Sequence, residues 1–243
     1  KYNYKLKMSL NFLIFFVYYF IILISIIGYG YILLSFEKIN KNFLNLGYVG
    51  LIGIFFLIIY SYLSNLLIPH SKTHNIIFII VGFFSFFYFF KRYSKNIFLN
   101  KNLILLFIVF LVLFISLLMK KNHDDFLYYH FQYTYHLTQD SLILGIGKLN
   151  HGFRTPSSIF YLNSLFYLPL AEYYLFNFSA VYILGFANII LLTKIFNFNV
   201  SQTKSNTKIT FNNYLCLLSF VFINIFFYRI SEHGTDRSAQ ILI

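Results

Sequence analysis

Long apolar runs separated by short polar interruptions set the pattern of this chain. The runs fall at 9–35, 46–67, 76–90, 102–119, 173–192 and 214–230. A helix needs about 20 apolar residues to cross the roughly 30 Å hydrocarbon layer of a bilayer, so these runs predict an all-α, polytopic transmembrane bundle of about six spans. Pro69 stops the second run, because it lacks an amide hydrogen and its ring clashes with the preceding turn. The segment 157–171 is apolar but short, and Asn163, Ser164 and Pro169 interrupt it. It predicts a buried or interfacial helix packed against the bundle rather than a crossing.

Composition agrees with the pattern. The chain is 59% hydrophobic and 11% charged, whereas soluble domains carry roughly 25% charged residues. A soluble fold is therefore excluded. The 34 Phe and 22 Tyr accompany many Ile, Asn and Lys, which reads as the codon bias of an A+T-rich genome acting on a lipid-facing surface. A net charge of +12 would point to nucleic acid in a soluble protein, but the 19 Lys and Arg sit mainly in short loops and at helix ends. That is where membrane proteins keep their charge, and no nucleic-acid partner is expected. Cys216 is the single cysteine, so no intrachain disulfide forms. A start at Lys1 and an end on Ile-Leu-Ile suggest a piece of a longer protein.

One interruption is long. Residues 120–155 gather three Asp, four His, three Lys and one Arg, and they divide the chain into a four-span part (1–119), the polar stretch (120–156), and an interfacial helix with two further spans and a polar tail (157–243). Asp124 and Asp125 follow the fourth run directly. Adjacent carboxylates repel, so such a pair calls for a cation or a basic partner, and one member then suits general-base work. From 126 to 144 no breaker occurs, which predicts an interfacial helix. On it His136 and Asp140 share a face with Tyr129 and Tyr133; the pair reads as a metal site, as an oriented acid/base couple or as a surface hydrogen bond. Residues 144–154 are punctuated by glycine and read as a loop carrying Lys148, His151 and Arg154 toward an anion. Glu232, His233, Asp236 and Arg237 form a second polar cluster two spans later, and hence on the same face of the membrane. His70 and His74, in the short loop HSKTHN, read as solvated.

The pattern HDDFLYYHFQYTYHLTQDSLILGIGKLNHGFR, followed by SSIFYLNSLF and later SEHGTDR, resembles a group of uncharacterised bacterial multipass proteins that is itself similar to the GT-C glycosyltransferases. The resemblance implies an inner-membrane enzyme moving a sugar from a polyprenyl-phosphate donor to a cell-envelope acceptor. Asp124 and Asp125 would then match the family's acidic pair, as base or as ligands of a divalent cation such as Mg or Mn. Lys148 and Arg154 would meet the donor phosphate. The chain departs from that family in placing four spans before the acidic pair. A transporter or lipid flippase, and a non-catalytic subunit of an envelope complex, are the alternatives.

Overall fold

The computed structural model describes residues 2–36, 45–93, 97–118, 125–154, 157–201, 207–227 and 241. Among them are eight α-helices: α1 (Tyr2–Phe36), α2 (Leu46–Asn65), α3 (Lys72–Tyr93), α4 (Ile97–Leu118), α5 (Phe131–Gln139), α6 (Ser158–Ser164), α7 (Phe178–Ser201) and α8 (Thr207–Phe226). Among the described residues four stretches are long and apolar enough to cross a membrane: Asn11–Phe36, Leu46–Asn65, Lys72–Arg92 and Tyr173–Phe196. This is a membrane protein.

Small residues let the first three helices touch backbone to backbone. A Cβ added at Gly28 would lie 1.9 Å from the carbonyl oxygen of Gly82, and one at Gly53 would lie 2.0 Å from that of Ile26. Such contacts replace the hydrophobic drive that lipid tails cannot supply between helices. Buried tyrosines complete the interfaces: Tyr29 donates to the Phe78 carbonyl (2.7 Å), Tyr19 to that of Phe110 (2.9 Å), and Tyr182 to that of Tyr19 (2.8 Å). A buried phenol must find an acceptor, and here each finds a carbonyl on a neighbouring helix. The expectation of outward-facing aromatics holds for part of them, such as Phe55, Phe84, Phe87 and Tyr88, which are exposed on the long helices; others are inside. Tyr19, Tyr182, Phe110, Phe166, Phe178 and Phe186 are wholly enclosed.

A second, smaller layer caps one end of the bundle. Here the structure corrects the predicted helix over 126–144, since Phe126–His130 is a π-helical turn, α5 ends at Gln139, and Asp140 is already extended (φ −128°, ψ 149°). The segment 157–171 likewise holds only the seven residues of α6, capped by the Ser157 hydroxyl accepting from the Ile159 amide. Pro169 lies in the turn beyond it, where Leu170 and Glu172 adopt positive φ (66° and 47°). Tyr133, Leu137, Phe153, Phe160 and Tyr161 form a separate apolar core for this layer. The C-terminal end of α2 and the N-terminal end of α3 both adjoin it: the Leu142 amide donates to the Asn65 carbonyl, and the His70 amide to that of Leu137.

Candidate functional site

Two cavities belong to the capping layer, and size separates them. A pocket of about 40 Å³ lies beside Tyr133, His136, Asp140 and Tyr161, which is room for a water or two. His136 Nδ1 stands 4.0 Å from Asp140 Oδ2, with both side chains about half exposed. That spacing exceeds hydrogen-bond length, so the two form a loose surface contact beside a hole too small for a sugar. Tyr133, expected on the same stripe, does share that pocket with His136 and Asp140, and it packs on Phe160 as Tyr129 does.

The larger cleft, about 350 Å³, is of ligand size. Phe15 of α1, Leu117 and Leu118 at the end of α4, and Phe126, Leu127 and Phe131 give it apolar walls; Tyr173, Tyr174 and Asn177 add its polar groups. Asp125 immediately precedes the π-helical turn whose first residue, Phe126, forms part of the wall. Single π-helical turns recur at functional sites. Of the predicted acidic pair, Asp125 is described; Asp124 and the tail residues Glu232, His233, Asp236 and Arg237 lie outside the described residues.

The predicted anion loop is a lobe built from two 3₁₀ turns, Ile146–Lys148 and His151–Arg154. Phe153 anchors it in the small core. Asn150 ties it to the π-helical turn by donating to the Tyr128 carbonyl (3.1 Å), and Arg154 Nε donates back to the Gly147 carbonyl (3.3 Å). Lys148, His151 and Arg154 are exposed, and none of them lines the cleft.

The solvated reading of the HSKTHN loop fails. His70 is fully enclosed, and its ring links two helices: Nδ1 meets Ser164 Oγ of α6 (2.6 Å) and Nε2 meets Ser64 Oγ of α2 (2.8 Å). Ser164 spends its one hydroxyl hydrogen on the Tyr161 carbonyl (2.7 Å), which makes it the acceptor from His70 Nδ1–H and leaves Nε2 to accept from Ser64. Burial first, and then the neighbouring His74, hold the His70 ring neutral and lower its pKa to about 3. Asn75 aims its amide nitrogen at three carbonyls, those of His70 (2.9 Å), Ser164 (2.8 Å) and Tyr167 (3.1 Å). Its oxygen therefore faces His74 Nδ1 (2.9 Å), whose Nε2 accepts from the Tyr60 hydroxyl (2.8 Å). Asn65 reaches the Leu137 and Asp140 carbonyls of α5, and Lys72 pairs with Glu172 at the edge of the network. The network's chemistry is positional: it fastens α5 and α6 to the ends of α2 and α3.

The profile of a domain of unknown function, DUF8201, matches residues 12–243. The chain belongs to the DUF8201 family. No curated protein matches this family member, and no solved structure does. The family match runs across the cleft, the buried histidine network and the basic lobe alike. A divalent cation takes six or more oxygen ligands, and among the described residues of this DUF8201 chain no three His, Cys, Asp or Glu side chains converge on one point. The described residues alone do not compose a metal centre, and no chemical step is assigned to one. Sequence reasoning overlooked the cleft's Tyr173, Tyr174 and Asn177, which read as the start of a span. It also overlooked the spacing of His70, His74 and Asn75 at the start of a helix, a signal for a polar helix end turned inward.

Proposed function

We propose that this DUF8201 protein is a six-span protein of a bacterial inner membrane that transfers a sugar from a lipid-phosphate donor to a cell-envelope acceptor, in the manner of GT-C glycosyltransferases. The supporting observation is the cleft: an apolar, ligand-sized recess beside the end of α4, with Asp125 next to its wall. The lipid portion of the donor would lie in the recess, and Asp124 or Asp125 would remove the proton from the acceptor hydroxyl. As the new bond forms at the sugar's anomeric carbon, the bond to the phosphate oxygen breaks and the lipid phosphate departs with the electron pair. A positioned general base contributes about 10²–10⁴-fold in rate. The test supplies polyprenyl-phosphate sugars to the protein reconstituted in vesicles and compares wild type with Asp124→Asn and Asp125→Asn. A loss of that size in one variant supports the reading. Turnover by the wild type that neither substitution changes refutes the catalytic role, and absence of transfer by the wild type refutes the reaction.

A further inference from the structure

The lobe at 141–154 has apolar side chains where an extramembrane loop should be polar. Leu144 is 88% exposed and Leu149 is 73% exposed, with Leu142 and Ile143 partly uncovered beside them. Their position explains why. On α2 the exposed residues Phe55, Ile59 and Leu63, with Leu67 just beyond its end, recur every four positions, the spacing of one helix face, and α2 is long and apolar enough to cross a membrane. This stripe faces lipid. Its last residues, Leu66, Leu67 and Ile68, lie beside the lobe, because the Leu142 amide donates to the Asn65 carbonyl (2.9 Å). The hydrogen bond sets the exposed leucines at the end of α2 close to Leu142, Ile143 and Leu144.

Charge completes the surface. Lys148, His151 and Arg154 are exposed on the same lobe, and no acidic residue occurs between Ser141 and Arg154. The nearest acid is Asp140, which pairs loosely with His136. Apolar tips that enter the boundary between headgroups and acyl chains, flanked by basic residues at headgroup height, are the components of an interfacial anchor.

We infer that the lobe at 141–154 is a lipid-binding element: Leu142, Ile143, Leu144 and Leu149 dip into the membrane beside α2, and Lys148 and Arg154 hold the phosphates of anionic phospholipids. This gives the basic residues a partner other than the sugar donor, and the inference stands independently of the proposed enzyme activity. A fixed lobe also steadies the π-helical turn that Asn150 grips, and with it the cleft wall.

The experiment places a fluorophore at Leu144→Cys or Leu149→Cys, in a Cys216→Ser background, with the full chain in vesicles of phosphatidylcholine alone or mixed with phosphatidylglycerol. Quenching by a nitroxide carried on the lipid, stronger in the anionic vesicles, is the expected result. Each basic residue should add about a fivefold preference for the anionic surface, the factor that about 1 kcal/mol per Lys or Arg gives, so Lys148→Gln and Arg154→Gln should each remove about that much. Quenching by aqueous iodide alone in both vesicles overturns the inference and leaves the face to a protein partner. Lipid quenching that is equal in both vesicles and unchanged in the Gln variants overturns the headgroup contact. Both label positions are exposed, so folding of the labelled chains should not be at risk.

Discussion

Acid should loosen the capping layer through one residue. His70 is enclosed and neutral, with a pKa near 3 in the folded chain against an ordinary 6.5. A base whose pKa falls on folding leaves the unfolded chain binding more protons, so stability declines as pH drops below 6.5 and levels off near 3. From pH 7 to pH 5 the unfolded ring takes up its proton while the folded ring does not, which costs about 2 kcal/mol. For a chain of this length that corresponds to a fall in Tm of about 4–8 °C. The groups around the ring do not offset this: His74 stacks on it at 5.3 Å, Tyr60 is engaged with His74, and Glu172 is paired with Lys72. The assay is thermal unfolding in detergent, followed by circular dichroism at both pH values, for wild type and His70→Gln. Gln cannot titrate, so the extra acid loss should vanish in the variant although its stability at pH 7 is lower. Equal losses in both proteins would refute the argument. Should His70→Gln fail to fold, an NMR titration of the wild-type ring decides instead, and a midpoint near 6.5 would be the refuting result.

Asn75→Ala should destabilise by roughly 3 kcal/mol, because it strips the donors from three buried carbonyls; denaturant unfolding in micelles measures it, and a change under about 1 kcal/mol would contradict the network. Asn163 is wholly enclosed with neither end of its amide paired among the described residues, so Asn163→Leu should be neutral or stabilising by about 1 kcal/mol in the same assay, and clear destabilisation would mean that the amide holds something. Leu170 is exposed at φ 66°, a conformation that costs a side chain about 1–2 kcal/mol, so Leu170→Gly should raise Tm, contrary to the usual effect of shortening an apolar side chain.

The long apolar helices were legible because hydropathy is local: the apolar runs fall within or across α2, α3 and α7, although α3 begins earlier, at Lys72, and α7 continues to Ser201. The capping layer was not, because its determinants are distant in sequence. His70 looked like a solvated loop histidine since its partner Ser164 is 94 residues away, and the Leu137 carbonyl that receives Asn65 is 72 residues away. The helix predicted over 126–144 failed for the opposite reason. Nothing local breaks it, yet the Leu142 amide is committed to the Asn65 carbonyl rather than to a helical turn. Asp125 was legible as a charged residue at the end of an apolar run, but the cleft near it was not, since its walls come from α1, α4, the π-helical turn and the approach to α7.

These distant contacts explain why the layer exists at all. Helices of nine and seven residues, the lengths of α5 and α6, are shorter than the roughly 12–15 residues at which an isolated helix becomes marginal in water. They hold their shape because the ends of α2 and α3 bind them. Asn65 takes carbonyls at the C-terminal end of α5, Asn75 takes those of Ser164 and Tyr167 in α6 and the turn beyond it, and His70 donates to the Ser164 hydroxyl. The π-helical turn that follows Asp125 runs straight into α5, so the position of that residue's backbone depends on the same bonds. A proton forced onto His70 thus acts on more than one buried ring: it weakens the attachment that keeps the acidic residue beside its cleft.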